Sequence, residues 1–339
     1  MDRIKVAIIG MGRMGRCRYD TMINHGGYEI VALCDNNANM LINYDERVYT
    51  DWKECLDNED VEAVFVCTIN SVIPDVVCAA LEKGIHVFSE KPPGRCLDDV
   101  FRMRDAYDGT GLVLKYGFNH RYHNSVIEAK TLIDSGLLGE VVCARGVYGK
   151  AGSLMFQSEW RNDPQLSGGG ILLDQGIHML DLMRYFVGDF TEIQASVDNL
   201  VWNDIPTEDS AFAILKTNDG KIASIHSSAV QWKHKFDMDI VLTEGYIALN
   251  GLLTSTKSYG EERITFYRKD LAKKSGKLGN PKEYVLCFDS EDSWAIEIEE
   301  FYEAVVNGKS IVNGTIDDAV AAMSLVEGIY EQSGWKVAR

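Results

Sequence analysis

Long apolar runs are missing from the 339-residue sequence: none approaches the roughly 20 residues that a helix needs to cross a bilayer. Positive charge is also scarce, since 34 Lys and Arg stand against 51 Asp and Glu, for a formal net charge of −17. Nucleic-acid binding and docking on an anionic membrane both require a basic face. The sequence therefore predicts neither a nucleic-acid partner nor a membrane partner.

The eight cysteines are scattered, and no two have the C-x-x-C spacing. A disulfide framework and a cysteine zinc site are therefore not expected. The first apolar run, Val6–Ile9, is too short for a signal peptide and is broken at once by Gly10. These absences predict a cytoplasmic protein without a metal site.

The two parts of the sequence differ in their periodicity. The first 120 residues alternate short apolar runs with helical stretches, which predicts parallel strands with crossover helices. The runs are Lys5–Ile9, Glu29–Cys34, Val61–Thr68, Ile85–Ser89 and Leu112–Phe118. After a helix near Asn124–Ser135, alternating strands are joined by turn signals such as Thr217–Gly220, which predicts a mostly antiparallel sheet. Three further helices are expected near Gly170–Phe186, Ser293–Asn307 and Ile316–Gln332.

A dinucleotide-binding fingerprint opens the chain. Gly10-Met11-Gly12-Arg13-Met14-Gly15 is a G-x-G-x-x-G pattern between an apolar strand and a helix, and Asp35 ends the next strand 20 residues after Gly15. The glycines allow a tight turn and close approach of a pyrophosphate to the helix N-terminus. Asp35 is expected to accept hydrogen bonds from the adenosine ribose and to repel a 2′-phosphate. The predicted cofactor is therefore NAD, bound through Gly10, Gly12, Arg13, Met14, Gly15 and Asp35.

Two further motifs carry a family resemblance. Glu90-Lys91-Pro92 follows an apolar run, and a helix led by Gly168-Gly169-Gly170 contains Asp174 and His178 in a D-x-x-x-H spacing. Over essentially the whole chain this combination resembles the Gfo/Idh/MocA family, which includes glucose–fructose oxidoreductase and inositol dehydrogenase. The sequence departs from the usual family pattern in two places, with Ile69 where a proline is usual and Pro93-Gly94 where a small apolar pair is usual.

The resemblance implies an α/β fold in two domains. Residues 1–120 are expected to form a Rossmann domain with a doubly wound parallel sheet. Residues 121–339 are expected to form an α+β domain for substrate binding and oligomerisation, with a large, mostly antiparallel open sheet and a C-terminal helix that can pack back on the first domain. Since that sheet often makes subunit contacts in the family, a homodimer or homotetramer is expected.

The resemblance also implies residue roles. Lys91 is expected to contact the substrate hydroxyl near the nicotinamide, His178 to act as general acid/base, and Asp174 to bind substrate beside it. Further cofactor contacts are implied at Thr68, Asn70, Glu90, Lys91 and Asn119. Further substrate contacts are implied at Arg121, Trp160 and Arg161.

The residue types themselves suit this chemistry. Asp174 and His178 are four apart and share one helix face, and an imidazole with a pKa near 6.5 suits proton transfer at neutral pH. A lysine stabilises developing alkoxide charge.

An alternative is that Asp174, His178 and Asp181 ligate a metal. His120 and His123 are interpreted as polar loop or helix-start residues, and the basic segment 268–282 as a solvated loop or a contact for a phosphate-bearing substrate.

The sequence thus predicts an NAD-dependent oxidoreductase acting on a small polyhydroxylated substrate. Hydride would move between the nicotinamide and a secondary hydroxyl or keto group of a sugar, a cyclitol or a nucleotide-sugar. Two alternatives stay open: an enzyme that retains its NAD and uses transient oxidation for glycoside cleavage or epimerisation, and a non-catalytic NAD- or sugar-sensing regulatory protein.

Overall fold

The computed structural model describes residues 3–152, 159–254, 256–269 and 281–337. Its contacts divide the chain into two compact units. Unit 1 comprises Met1–Asn119, Gln165–Gly168 and Trp294–Met323, and unit 2 comprises His120–Pro164, Gly169–Ser293 and Ser324–Arg339. The domain boundaries expected from the sequence, 1–120 and 121–339, stay a prediction.

The elements of the described residues are as follows. The strands are β1 Ile4–Ile9, β2 Tyr28–Cys34, β3 Arg47–Tyr49, β4 Ala63–Val66, β5 His86–Ser89, β6 Leu114–Tyr116, β7 Val141–Gly149, β8 Phe190–Asp198, β9 Ser210–Thr217, β10 Ile222–Ser228, β11 Lys235–Leu242, β12 Gly245–Asn250, β13 Glu262–Arg268 and β14 Tyr284–Phe288. The helices are α1 Arg13–His25, α2 Trp52–Asn58, α3 Ile73–Glu82, α4 Leu97–Tyr107, α5 Asn124–Asp134, α6 Pro164–Ser167, α7 Ile177–Val187, α8 Ser293–Asn307 and α9 Ile316–Ser333.

Unit 1 is built on a parallel sheet. Among the described residues it has six strands in the order β3-β2-β1-β4-β5-β6, and every neighbouring pair is parallel. The strand order reverses between β1 and β4, and sheets of this kind bind ligands outside the carboxyl ends of their strands at such a point. The predicted doubly wound Rossmann sheet is confirmed.

The core of unit 1 explains the continuous apolar runs of its strands. All four residues of β4 are buried, as expected for a strand that is covered on both faces. Phe65 of β4 stacks on Phe88 of β5 with ring centroids 4.9 Å apart, and Phe301 of α8 meets both rings edge-on. Tyr28 donates a hydrogen bond to the Ile298 carbonyl at 2.6 Å, so α8 is part of this core.

Unit 2 is built on a larger sheet. Among the described residues it has eight strands in the order β14-β13-β12-β11-β7-β10-β9-β8, and of these pairs only β7 and β10 are parallel. Helix α7 packs on β7 so closely that a Cβ added at Gly146 would lie 2.4 Å from the Met179 sulfur. The predicted α+β domain with a mostly antiparallel open sheet is confirmed.

Two edge strands were not predicted from the sequence. Strand β3 has only three residues and no apolar run, and β14 follows the basic segment at the sheet edge. Of the basic residues in segment 268–282, Lys273, Lys274 and Lys277 lie outside the described residues.

Two further observations concern membranes and cysteines. In the part of the chain that the structure describes, no helix combines the length and apolarity needed to cross a membrane. All eight cysteines lie in that part, and none of them is in a disulfide bond there.

Candidate active site

The predicted residues fall into two groups, one in each unit. The first is the glycine turn between β1 and α1 in unit 1. Gly10 has a φ of +96°, and a Cβ there would lie 2.5 Å from the Cys67 carbonyl oxygen. A Cβ at Gly15 would lie 1.9 Å from the Gly10 carbonyl oxygen. Packing within the turn therefore requires glycine at both positions.

Gly12 differs from the other two glycines. A Cβ added there meets no atom within 4 Å, so packing alone does not require a glycine. Gly12 is also the N-cap of α1, and it has no side chain with which to cap the first amides of the helix. An open approach to uncapped amides at a helix N-terminus fits the pyrophosphate of a dinucleotide.

Asp35 joins the end of β2 to this turn. Its Oδ2 accepts the Met11 N–H at 2.8 Å, and its Oδ1 accepts the Asn37 N–H at 2.9 Å. These two bonds fix the carboxylate at the carboxyl edge of the sheet, where a ribose hydroxyl of NAD would find an oriented acceptor. The amide donors at the start of α1 and the carboxylate acceptor of Asp35 thus fit the predicted cofactor.

The remaining cofactor-side predictions of unit 1 lie at the ends of neighbouring strands. Thr68 and Asn70 follow β4, and the buried Asn70 donates to the Ser167 carbonyl at 2.7 Å. Glu90 and Lys91 follow β5, and Lys91 is only partly buried. Asn119 is buried and begins a short 3-10 turn after β6.

A buried charge cluster lies behind Glu90, and sequence reasoning missed it. Arg18 of α1 has no exposed surface, and its Nη2 lies 2.7 Å from Glu90 Oε1 and 2.6 Å from Glu297 Oε2. Its guanidinium carbon is 4.3 Å from the Phe88 ring centre and 4.6 Å from that of Trp294. Burial raises the pKa of Glu297 to about 7, although Arg18 acts to lower it.

Unit 2 holds the second group, on the helix led by glycines. Asp174 lies in a π-helical turn, Leu172–Gly176, and His178 lies in the first turn of α7. Turns of this i→i+5 type are rare and occur frequently at functional sites. His178 is buried, with 4% of its surface exposed.

Two cations meet the Asp174 carboxylate. Lys150 Nζ lies 3.4 Å from Asp174 Oδ2, and Arg161 Nε lies 3.2 Å from Asp174 Oδ1. The Arg161 guanidinium carbon also lies 4.7 Å from the ring centre of Trp160. The structure thus brings together the predicted Asp174, Trp160 and Arg161, and adds Lys150, which belongs to none of the motifs recognised in the sequence.

Of the two histidines interpreted as polar loop or helix-start residues, His123 begins a helix as interpreted, and His120 lies against His178. The His120 ring stacks on the His178 ring with centroids 3.7 Å apart and an interplanar angle of 19°. His120 Nε2 is 3.1 Å from the Tyr148 hydroxyl, and His123, the N-cap of α5, is 2.8 Å from Glu262 Oε2. The spacing of His120 and His123 in the sequence gives no signal for this packing, which depends on folding of the whole unit.

Arg121 and Asp181 form a buried bidentate pair. Arg121 Nε donates to Asp181 Oδ2 at 2.9 Å, and its Nη2 donates to Asp181 Oδ1 at 2.6 Å. The predicted contact of Arg121 with substrate stays a prediction, and the structure adds this second role. Within the described residues, no group of three His, Cys, Asp or Glu side chains is arranged to hold a metal ion.

Two family models match the chain. A model described as an oxidoreductase family with an NAD-binding Rossmann fold matches residues 4–118. A model described as the GFO/IDH/MocA C-terminal domain matches residues 126–248. Together the two matches span most of the chain, and each falls on one of the two sheets described above.

The curated relatives include sugar and cyclitol dehydrogenases. Levoglucosan dehydrogenase of Pseudarthrobacter phenanthrenivorans is 32% identical over 152 residues, which cover 44% of this chain and only 39% of that protein. The scyllo-inositol 2-dehydrogenase (NAD(+)) of Bacillus subtilis is 23% identical over 345 aligned residues, which cover 98% of this chain and 94% of that protein.

Solved structures share the fold. Levoglucosan dehydrogenase in complex with NADH and L-sorbose superposes with a TM-score of 0.86 at 20% identity, covering 98% of this chain and 97% of that one. At this level of sequence identity, the likeness shows a shared fold and nothing further.

Proposed function

Because this chain belongs to the GFO/IDH/MocA family of oxidoreductases and carries its NAD-binding Rossmann domain, we propose that it is an NAD-dependent dehydrogenase of polyhydroxylated substrates. It transfers a hydride between the nicotinamide and a secondary hydroxyl or keto group of a sugar, a cyclitol or a nucleotide-sugar. The single observation that carries the proposal is the glycine turn of unit 1, where Gly12 leaves open space and Asp35 is anchored by the Met11 amide.

NAD, when bound, supplies the two-electron acceptor or donor for the reaction. The protein must then move the proton of the reacting hydroxyl. His178 is the proposed general acid/base, since an imidazole can accept that proton and return it, and this one is shielded from bulk water. Lys91 is proposed to stabilise negative charge that develops on the oxygen.

Substrate recognition is proposed for the Asp174 group. A carboxylate flanked by an ammonium and a guanidinium offers both acceptors and donors to neighbouring hydroxyls of a ring. The aromatic face of Trp160 offers an apolar surface of the kind that substrate sites combine with a few polar groups. Relatives named for levoglucosan and scyllo-inositol support a polyhydroxylated ring as the substrate class.

The protein is proposed to form a homodimer or a homotetramer. It is proposed to act in the cytoplasm. In unit 2, β9 and β10 expose Phe212, Ile214 and Ile222 on one face, each with about half of its surface accessible. Contiguous apolar exposure of this kind marks interaction surfaces. Light scattering coupled to gel filtration tests the stoichiometry, and a monomer at micromolar concentration would contradict this part of the proposal.

The experiment that tests the function is NAD reduction across a panel of cyclitols, free sugars and nucleotide-sugars. We expect turnover with at least one compound, and a loss of kcat of at least about 100-fold in His178→Ala and in Lys91→Ala, since positioned acid–base groups contribute about 10²–10⁴-fold. NADH affinity should stay close to that of the wild type in both variants.

A histidine outside the site supplies the control. His86→Ala removes a half-buried imidazole of unit 1 that accepts the Val113 N–H, and kcat should not change. Wild-type turnover in both site variants would overturn the assigned roles. Release of NAD on denaturation, together with glycoside cleavage or epimerisation and no accumulated NADH, would favour the NAD-retaining alternative.

A further inference from the structure

The helix that carries Asp174 and His178 begins against a buried carboxylate from a distant part of unit 2. Both carboxylate oxygens of Glu208 accept the Gly170 N–H, at 3.0 and 2.9 Å, and Oε1 also accepts the Leu172 N–H at 3.0 Å. The backbone carbonyl of Glu208 accepts the next amide, Ile171 N–H, at 3.2 Å. Glu208 therefore binds three consecutive amides at the start of this helical segment.

A charged group suits this position. The first amides of a helix lack partners within the helix and carry partial positive charge, which a carboxylate satisfies. Glu208 has no exposed surface, so its charge must be balanced by hydrogen bonds. Besides the Gly170 and Leu172 amides, the carboxylate has a third donor, the Tyr330 hydroxyl of α9, 2.8 Å from Oε1. Burial raises the pKa of Glu208 to about 7, while the bonds from Tyr330 and the amides act to lower it.

The space around this contact accounts for two of the three glycines that lead the helix. A Cβ at Gly170 would lie 2.2 Å from the Glu208 carbonyl oxygen and 2.9 Å from its Oε2. A Cβ at Gly169 would lie 2.3 Å from the Tyr330 hydroxyl. Only glycine therefore allows the carboxylate and the phenol to approach the backbone this closely.

The segment held by Glu208 is the irregular one. The π-helical turn Leu172–Gly176 contains Asp174 and leads directly into α7 and His178. Ser227 of β10 donates a hydrogen bond to the Ile171 carbonyl at 3.1 Å, on the same turn. If the start of the turn were released, it could relax to regular α-helical spacing, and Asp174 would rotate about the helix axis relative to His178.

We propose that Glu208 is a positioning residue: its carboxylate, itself held by Tyr330, fixes the start of the helix and thereby the directions of the Asp174 and His178 side chains. This inference rests on the function proposed above for its catalytic consequence. Glu208 touches neither cofactor nor substrate in this assignment, and it acts through the backbone that it binds.

The test compares Glu208→Gln with Asp209→Asn. Asp209 is the neighbouring residue and is equally buried, and its carboxylate accepts three backbone amides, those of Leu200, Val201 and Trp202, at 2.7–3.0 Å. Those amides belong to a loop rather than to the helix of Asp174 and His178. Each variant thus replaces one buried, amide-bound carboxylate by its neutral amide.

We expect Glu208→Gln to lower kcat by about 10- to 100-fold and to raise KM for the sugar, because displacements near 1 Å can cost about 100-fold in rate. NADH affinity should change less than twofold. Asp209→Asn should lower the melting temperature at least as much while leaving kcat within about twofold of wild type. Tyr330→Phe, which keeps the carboxyl group and removes only one of its donors, should give a smaller loss of kcat and serves as the milder variant if Glu208→Gln does not fold.

A second readout does not depend on turnover. In ¹⁵N-histidine NMR spectra, the ring signals of His178, identified by their loss in His178→Ala, should shift in Glu208→Gln or Tyr330→Phe and not in Asp209→Asn. Equal losses of kcat in Glu208→Gln and Asp209→Asn, or unchanged His178 signals in the Glu208 and Tyr330 variants, would overturn the positioning role. Absence of turnover in the wild-type protein would refute the proposed function alone, and the NMR comparison would still decide the positioning.

Discussion

Arg18→Met removes the positive charge at the centre of the buried cluster behind Glu90 while keeping a side chain of similar reach. The guanidinium lies 2.7 Å from Glu90 and 2.6 Å from Glu297, and the Arg18 and Glu297 side chains have no exposed surface. Removing one partner of a buried ion pair costs about 3–5 kcal/mol, because the remaining charge is left without compensation. We expect a loss of this size in the free energy of unfolding at pH 8.

The loss should depend on pH in a defined direction. The pKa of Glu297 is already raised from 4.5 to about 7 by burial, and without Arg18 it should rise further. A carboxyl with a raised pKa in the folded state contributes its full stability below the unfolded pKa, and this stability is lost as pH rises through the folded pKa. The deficit of Arg18→Met relative to wild type should therefore shrink by up to about 1.4 kcal/mol per pH unit as the pH falls from 8 toward about 7, and should change little at lower pH, where Glu297 is protonated in both folded proteins.

Urea unfolding at pH 8 and pH 5.5, without NAD, measures these differences. Adding Glu297→Gln to Arg18→Met should restore part of the stability at pH 8, because the amide is neutral. The matched control is Arg102→Met, which breaks an ion pair with Asp75 of the same 2.7 Å length whose side chains are about half exposed. Exposed pairs contribute about 0–1 kcal/mol, so this control should change little.

Two outcomes would refute the reasoning. In the first, Arg18→Met is no less stable than Arg102→Met at pH 8. In the second, adding Glu297→Gln to Arg18→Met leaves the stability of that variant unchanged. Either result would mean that the cluster does not hold uncompensated charge after Arg18 is removed.

Two further predictions concern the cofactor turn. Gly10→Ala should lower stability by at least about 1–2 kcal/mol, because its φ is +96° and the new Cβ meets the Cys67 carbonyl, whereas Gly12→Ala should melt like wild type and lose NADH affinity. Thermal melts and NADH fluorescence titration separate the two, and equal effects on both quantities would contradict the steric argument. Asp35→Asn should weaken NADH binding at least about tenfold and reduce the preference over NADPH, since each charge-assisted bond is worth about 1.5–3 kcal/mol. Wild-type affinity for NADPH equal to that for NADH would contradict it.

The sequence alone predicted the class of both sheets and the glycine turn because these depend on local information. Apolar periodicity distinguishes parallel, doubly covered strands from alternating ones, and the spacing from Gly15 to Asp35 reflects one strand–helix–strand unit. The pairing of Asp174 with His178 stays a prediction, because a four-residue spacing places two side chains on one face of a regular α-helix, whereas Asp174 lies in a π-helical turn. The short edge strand β3 carried too few residues for such a signal.

Pairing between distant side chains was decided only by the tertiary structure. Arg18 and Glu90 are 72 residues apart, and Tyr330 and Glu208 are 122 residues apart, so no local pattern indicates that they meet. From sequence alone, a charged residue in a helical stretch is interpreted as exposed to solvent. The sequence does not show which charged side chains are buried together with their partners. The buried carboxylates of Glu297 and Glu208, and the stacking of His120 on His178, exist only because the complete fold excludes water from these groups and supplies the donors and aromatic faces that replace it.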